Sequence, residues 1–321
     1  MIPMIDTHVH FWDKNIRGLS WPWLDKDFRS GDHSWTRRGG ADRAGHDAVR
    51  YTVREFWTET SGLGIAGLVH AHCAIAERDP SQETVWLEQL AAENDGWPQA
   101  IIGRGELASP DGASLLRRHR AASGRCGSVR DMAGPAGLDL EACAASLDAA
   151  AELGFVIELR TRPQGFAAFA TMAERWPDVK FVLSHAGLPL ERTPSSLAEW
   201  KAAAVRLVEC PNWYCKISAL CGGSDPEWTL DSIRPWAEAC VETFGPGRSM
   251  LGTNWPVDRL FGSYEKVLGA YRAVFADLEV EDQQELFYGT AAGLYGIDRP
   301  ALDSLATGGI RAAPGVDDLG N

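Results

Sequence analysis

The chain has 321 residues, enough for one large domain or two ordinary ones, and 45% of them are hydrophobic, as in a globular protein with a substantial core. The formal net charge is −13. Such a surface repels nucleic acid and anionic membranes, so neither is expected as a partner, whereas a small-molecule substrate, even an anionic one, can still meet a locally basic site.

Residues 4–10 (MIDTHVH) predict a first strand. Residues 11–57 follow as a long Trp- and Gly-rich insertion containing RRGGADR at 37–43, and a loop of that length reads as a lid, a binding loop or a small subdomain. Strands are then predicted at 65–72, 100–107, 125–131, 154–160, 179–186, 212–219 and 248–254. Helical spacing lies between them at 82–94, 139–152, 165–176, 196–209 and 231–244. Strands alternating with helices imply parallel pairing through right-handed crossovers. Eight such units fit an α/β fold of the (β/α)₈ TIM-barrel type over residues 1–298 better than an open doubly wound sheet. Residues 299–321 lack periodicity and read as a flexible tail. No signal peptide and no membrane-length apolar run is visible, so a cytoplasmic setting is expected, with a homodimer as the assembly considered. Seven scattered cysteines without a CxxC pair read as buried, reduced thiols. Trp12, Trp21, Trp23 and Trp35 are candidates for core or for the wall of a pocket mouth.

Barrel chemistry collects at the carboxyl ends of the strands, and polar residues fall there. His8 and His10 end the first strand, and Asp6 shares their face. His70 and His72 end the second, Arg104 and Glu106 the third, and Arg130 the fourth. Glu158 and Arg160 end the fifth, His185 the sixth, and Asn254 the eighth, while Lys216 and Ser218 lie on the seventh. Any one of these could be a satisfied structural residue; polar ends on nearly every strand point to a site. Imidazoles two apart on a strand can hold one divalent cation, and His185 is the choice for a third ligand. Arg104, Arg130, Arg160 and Lys216 suggest an acidic or strongly polar substrate, or else ion pairs with Glu106, Glu158 and Asp131. No phosphate loop and no GxSxG nucleophile elbow is present.

The segments IDTHVHFWD (5–13), FVLSHAGLP (181–189), NWYCKISAL (212–220) and MLGTNWPVDRLFGSYEKV (250–267) occur in an order that resembles the amidohydrolase superfamily. They are most similar to its amidohydrolase-2 branch of sugar, muconolactone and pyrone-dicarboxylate lactonases. That resemblance implies a (β/α)₈ barrel, contacts to metal or substrate at His8, His10 and His185, and a catalytic aspartate on strand 8. Here the motif usually reading Gly-Ser-Asp-Trp-Pro is Gly252-Thr253-Asn254-Trp255-Pro256. An amide can ligate weakly or orient water but is no general base. Asp258, His72, Glu106, Glu158 and His70 are the candidate replacements, with the His70–His72 pair preferred because imidazoles titrate near neutrality.

The expected activity is hydrolysis of a lactone or related cyclic ester, with His185, Asn254, His72 and Asp258 as catalytic candidates. Arg104, Arg130, Arg160, His70, Lys216 and Trp255 are the substrate-binding candidates. One divalent metal ion is expected at His8, His10, His185 and Asn254, zinc first and manganese second, with metal-free polarisation by Arg and His as the other course. The alternatives are a metal-dependent decarboxylase of the same superfamily, or a ligand-binding relative impaired by Asn254.

Overall fold

In the computed structural model, eight parallel strands form one sheet in strict chain order. They are β1 (Met4–Val9), β2 (Ile65–Ala71), β3 (Ala100–Arg104), β4 (Cys126–Asp131), β5 (Val156–Leu159), β6 (Lys180–Leu183), β7 (Trp213–Ile217) and β8 (Ser249–Leu251). The structure describes residues 1–24, 48–73, 75–76, 78–131, 138–222, 225–299 and 302. All eight predicted strands are present, and β1 is buried along its whole length, as a parallel strand covered on both faces must be.

The sheet curls so that β8 returns to β1, and side chains do much of the work at this seam. The only backbone bridge between them, among the described residues, joins Val9 to Trp255. Thr7 Oγ1 donates to Leu251 O at 2.7 Å. The Asp6 carboxylate accepts from Thr253 N at 2.9 Å, Thr253 Oγ1 at 2.5 Å and Tyr264 OH at 2.9 Å. Asp6 therefore braces the seam and does not join His8 and His10 at the site. Gly252 is required here: a Cβ at 252 would lie 2.8 Å from the Cβ of His8.

Helices α1 (Val53–Thr60), α2 (Ser81–Ala92), α3 (Gly112–Ala122), α4 (Leu140–Leu153), α5 (Phe166–Arg175), α6 (Pro194–Val208), α7 (Leu230–Phe244) and α8 (Tyr264–Val274) cover the strands. Their ends are written in the sequence. Asp139 caps α4 by accepting from Glu141 N and Ala142 N, and Gly154 stops it at φ 67°. Thr193 and Thr229 form capping boxes with Ser196 and Ser232 at the starts of α6 and α7.

The predicted lid, 11–57, needs correction at its ends. Trp12–Asp13 pairs antiparallel with Arg50–Tyr51, and residues from Val53 onward belong to α1. Trp12 and Trp21 are buried, so these rings are core. Residues 25–47, with Trp35 and RRGGADR, lie outside the described residues, as do 300–301 and 303–321 of the predicted tail. All seven cysteines are buried and free. Among the described residues, no helix is long and apolar enough to cross a membrane.

Candidate active site

Three imidazoles gather at the carboxyl end of the barrel. The ring centroid of His8 lies 4.9 Å from that of His10 and 4.4 Å from that of His185. The backbone delivers them by different means. His8 lies within β1, and His10 follows it with its N–H on Trp255 O at 2.7 Å. His185 sits in the tight turn after β6 at φ 54°, followed by Ala186 at 51°, Gly187 at 72° and Leu188 at 51°. Non-glycine residues avoid this left-handed region, so the surroundings must hold it. Trp200 Nε1 donates to Ala186 O at 2.7 Å, and a Cβ at Gly187 would lie 2.5 Å from the Phe166 ring. Asn254, after β8, is also left-handed at φ 58°, a conformation asparagine tolerates well.

The hydrogen bonds fix what each ring can do. Arg130 Nη1 donates to His8 Nε2 at 2.8 Å, and Nη2 donates to His72 O at 3.2 Å. The His8 proton is therefore on Nδ1, a buried atom with no partner. His10 Nδ1 donates to Ala71 O at 2.9 Å, which leaves the lone pair on Nε2, 3.3 Å from Asn254 Oδ1. Asn254 Nδ2 donates to Asp258 Oδ1 at 2.9 Å. Two acceptors thus face each other with no proton between them. His185 Nδ1 bonds Ser218 Oγ at 2.8 Å.

Burial dominates the electrostatics. It pushes His10 down to about 3, with Arg130 adding to the effect. It also holds His8 and His185 well below the ordinary histidine range, helped by neighbouring cations and imidazoles. All three rings are neutral at pH 7. Arg130 is lowered by burial to about 10 and stays charged, while burial raises Asp258 to about 7.

A cavity of about 470 Å³ opens beside this cluster, lined by His72, Arg104, Glu106, Ser109, Arg130 and Asp131 among others. Arg130 is the link, since it lines the cavity and its guanidinium touches His8.

Residues 5–297 match the family model described as Amidohydrolase. The chain belongs to the amidohydrolase family. It is 27% identical to the L-fucono-1,5-lactonase of Burkholderia ambifaria over 94% of this chain and 98% of that one. It is 28% identical to an uncharacterized protein of Sinorhizobium fredii over 92% and 98%. A solved amidohydrolase from Burkholderia multivorans with bound zinc superposes with a TM-score of 0.71, at 23% identity, over 92% of this chain and all of that one. The chain is thus a hydrolase of the amidohydrolase family, with the barrel that the sequence predicted.

Within this amidohydrolase, Arg104, Arg130 and His72 reach the cavity. Arg104 is half-exposed and paired with Glu106 at 2.9 Å. Arg160 is partly buried, close enough to lower both Arg130 and His185. Three expected substrate contacts are corrected. Lys216 directs its ammonium to both Glu158 oxygens at 2.8 Å and to Thr7 O at 2.9 Å, all fully buried. His70 is fully buried against Phe11, with ring centroids 5.7 Å apart. Trp255 is buried, with Nε1 on Glu59 Oε2 at 3.0 Å and its ring against Tyr264. Glu158 and Asp258, considered as replacement bases, are also enclosed. Glu158 pairs with Lys216 and accepts from Tyr295 OH at 2.5 Å. Asp258 reaches Asn254 from behind and does not line the cavity.

The expected three-histidine metal set is not ready-made. Among the described residues, no three His, Cys, Asp or Glu side chains stand as a metal cluster. Arg130 donates to the His8 lone pair in this arrangement. The facing acceptors of His10 and Asn254 nevertheless suit a cation. Their 3.3 Å spacing is that of adjacent donors around one ion bound at about 2.1 Å. The sequence reading missed Ser218 as the partner of His185, although Lys216 and Ser218 share a strand parity, and it missed Tyr295 altogether.

Proposed function

We propose that this amidohydrolase opens a lactone of a polar small molecule, and the carrying observation is Arg130, shared by the cavity and the histidine cluster. The lactone carbonyl oxygen lies against the Arg130 guanidinium, whose charge stabilises the oxyanion as it forms. His8 and the His72 carbonyl hold that guanidinium in place. Neutral His185, its Nδ1 proton held on Ser218, accepts a proton at Nε2 from the attacking water. The water oxygen bonds the carbonyl carbon, the ring C–O bond breaks, and the ring oxygen takes the proton from His185. The product is the open hydroxy acid. His72 and the Arg104–Glu106 pair line the same cavity and orient the substrate's polar groups.

A divalent cation, zinc or manganese, fits at His10 Nε2 and Asn254 Oδ1, with His8 and His185 beside them. When bound, it supplies Lewis acidity at the carbonyl or the water. The amide at 254 makes that site weaker than one built on a carboxylate.

The lactonase relatives support this reading. A panel of sugar-acid 1,4- and 1,5-lactones, followed by proton release in weak buffer, tests it. Opening of at least one lactone with one proton released per turnover is expected. Inert lactones, with CO₂ evolved from hydroxybenzoates, would make the chain a decarboxylase instead.

A further inference from the structure

Asn254 is pinned from behind. Asp258 N donates to Asn254 O at 3.2 Å, closing a turn that carries the Asp258 carboxylate back over the Asn254 amide. Asp258 is buried, and the turn has no slack: a Cβ at Gly222 would lie 2.6 Å from Asp258 Oδ1 and 2.9 Å from the Phe261 ring. Asp258 Oδ1 accepts from Asn254 Nδ2 at 2.9 Å. A carboxylate has only acceptors, so it selects the nitrogen end of the amide. The oxygen end is then forced toward His10 Nε2, whose own lone pair is fixed there by the Nδ1 bond to Ala71 O. Left to itself, the amide would turn over and donate Nδ2–H to His10 Nε2. That bond would satisfy both groups and close the site.

We propose that Asp258 is a positioning residue that keeps the Asn254 oxygen, not its nitrogen, beside His10 Nε2. The pair stays open to a cation or to a donor proton. Asp258 acts through Asn254 and does not touch substrate. The inference rests on the proposed cation site only for its consequence; the amide orientation stands by itself.

The test uses metal-free, full-length protein labelled with ¹⁵N at histidine and asparagine, held at pH 8. Long-range ¹H–¹⁵N spectra report whether a donor reaches His10 Nε2. In the wild type, the nitrogen should show no bond from the Asn254 amide. In Asp258→Ala, it should shift as the amide turns and donates. The same proteins are titrated with zinc in a calorimeter. Asp258→Ala should bind zinc about 10–100-fold more weakly, as when an orienting partner of a ligand is lost. Asp258→Asn, which can still accept through Oδ1, should retain most of the affinity.

An identical His10 signal in wild type and Asp258→Ala overturns the proposal, as does equal zinc affinity in the two. If Asp258→Ala does not fold, the wild-type spectrum decides: a His10 Nε2 already bonded by the Asn254 amide refutes the assignment, and a bare one upholds it. If the wild type binds no zinc, the cation reading fails, while the spectra still judge Asp258.

Discussion

Lys216 and Glu158 show how misleading a strand-end charge can be when read singly. In the sequence both resemble site residues, because they alternate correctly and sit near the carboxyl ends of their strands. In the fold they neutralise each other with no solvent exposure, and Thr7 O and Tyr295 OH complete the bonding. A buried pair of this kind contributes little relative to an apolar replacement, but removing one partner leaves a naked charge. Lys216→Met should therefore lower stability by about 3–5 kcal/mol in urea denaturation. A loss below about 1 kcal/mol would mean that water reaches Glu158. The histidines were legible because an HxH pair and a strand-terminal His have few structural uses in combination. The bond from Arg130 to His8 was not legible, since it joins residues 122 positions apart in sequence.

At the scale of elements, the eight strands and the alternation of the chain were readable from apolar runs and helical spacing. Helices α1, α3 and α8 were not among the segments named as helical; α1 follows a Trp- and Gly-rich stretch and begins inside the 11–57 insertion. Its signal was nonetheless present as a Thr52-x-x-Glu55 capping box, with Glu55 Oε2 accepting from Thr52 N at 2.8 Å. The β8–β1 seam escaped sequence reading because it is built from side chains. It is also where Asn254 and His10 meet, so packing and site geometry are joined there. Gly252→Ala should push the His8 backbone outward, since the new Cβ would stand 2.8 Å from the Cβ of His8. A stability loss of about 1–3 kcal/mol is expected from such overpacking. Turnover should fall further than that of a comparably destabilised variant elsewhere in the barrel. Equal effects on both would show that the seam does not position His8.

Across the whole molecule, the buried histidines set the response to acid. Burial lowers His8, His10, His70, His72, His119 and His185, with His10 at about 3 and His119 at about 4. In the unfolded chain each takes a proton near pH 6.5. Between that value and the lower folded values the unfolded state binds more protons, so stability falls as pH falls. Asp258, raised to about 7, opposes this by gaining stability as pH drops from about 7 toward 4, and Asp6 and Glu59, also raised by burial, act in the same direction. Six histidines outweigh three carboxylates. Metal-free protein should show a falling denaturation midpoint in urea from pH 7 to pH 5, and a flat or rising midpoint would mean that the rings are solvated.

In the proposed reaction Arg130 is the cation that meets the lactone carbonyl, so the most direct measurement is lactone opening by wild type, Arg130→Lys and Arg130→Met. Circular dichroism should first show that all three are folded. Arg130→Met should lower kcat by about 10²–10³, as for loss of an oxyanion donor, and Arg130→Lys should retain part of the activity. Near wild-type kcat in Arg130→Met would contradict it and remove Arg130 from the chemistry.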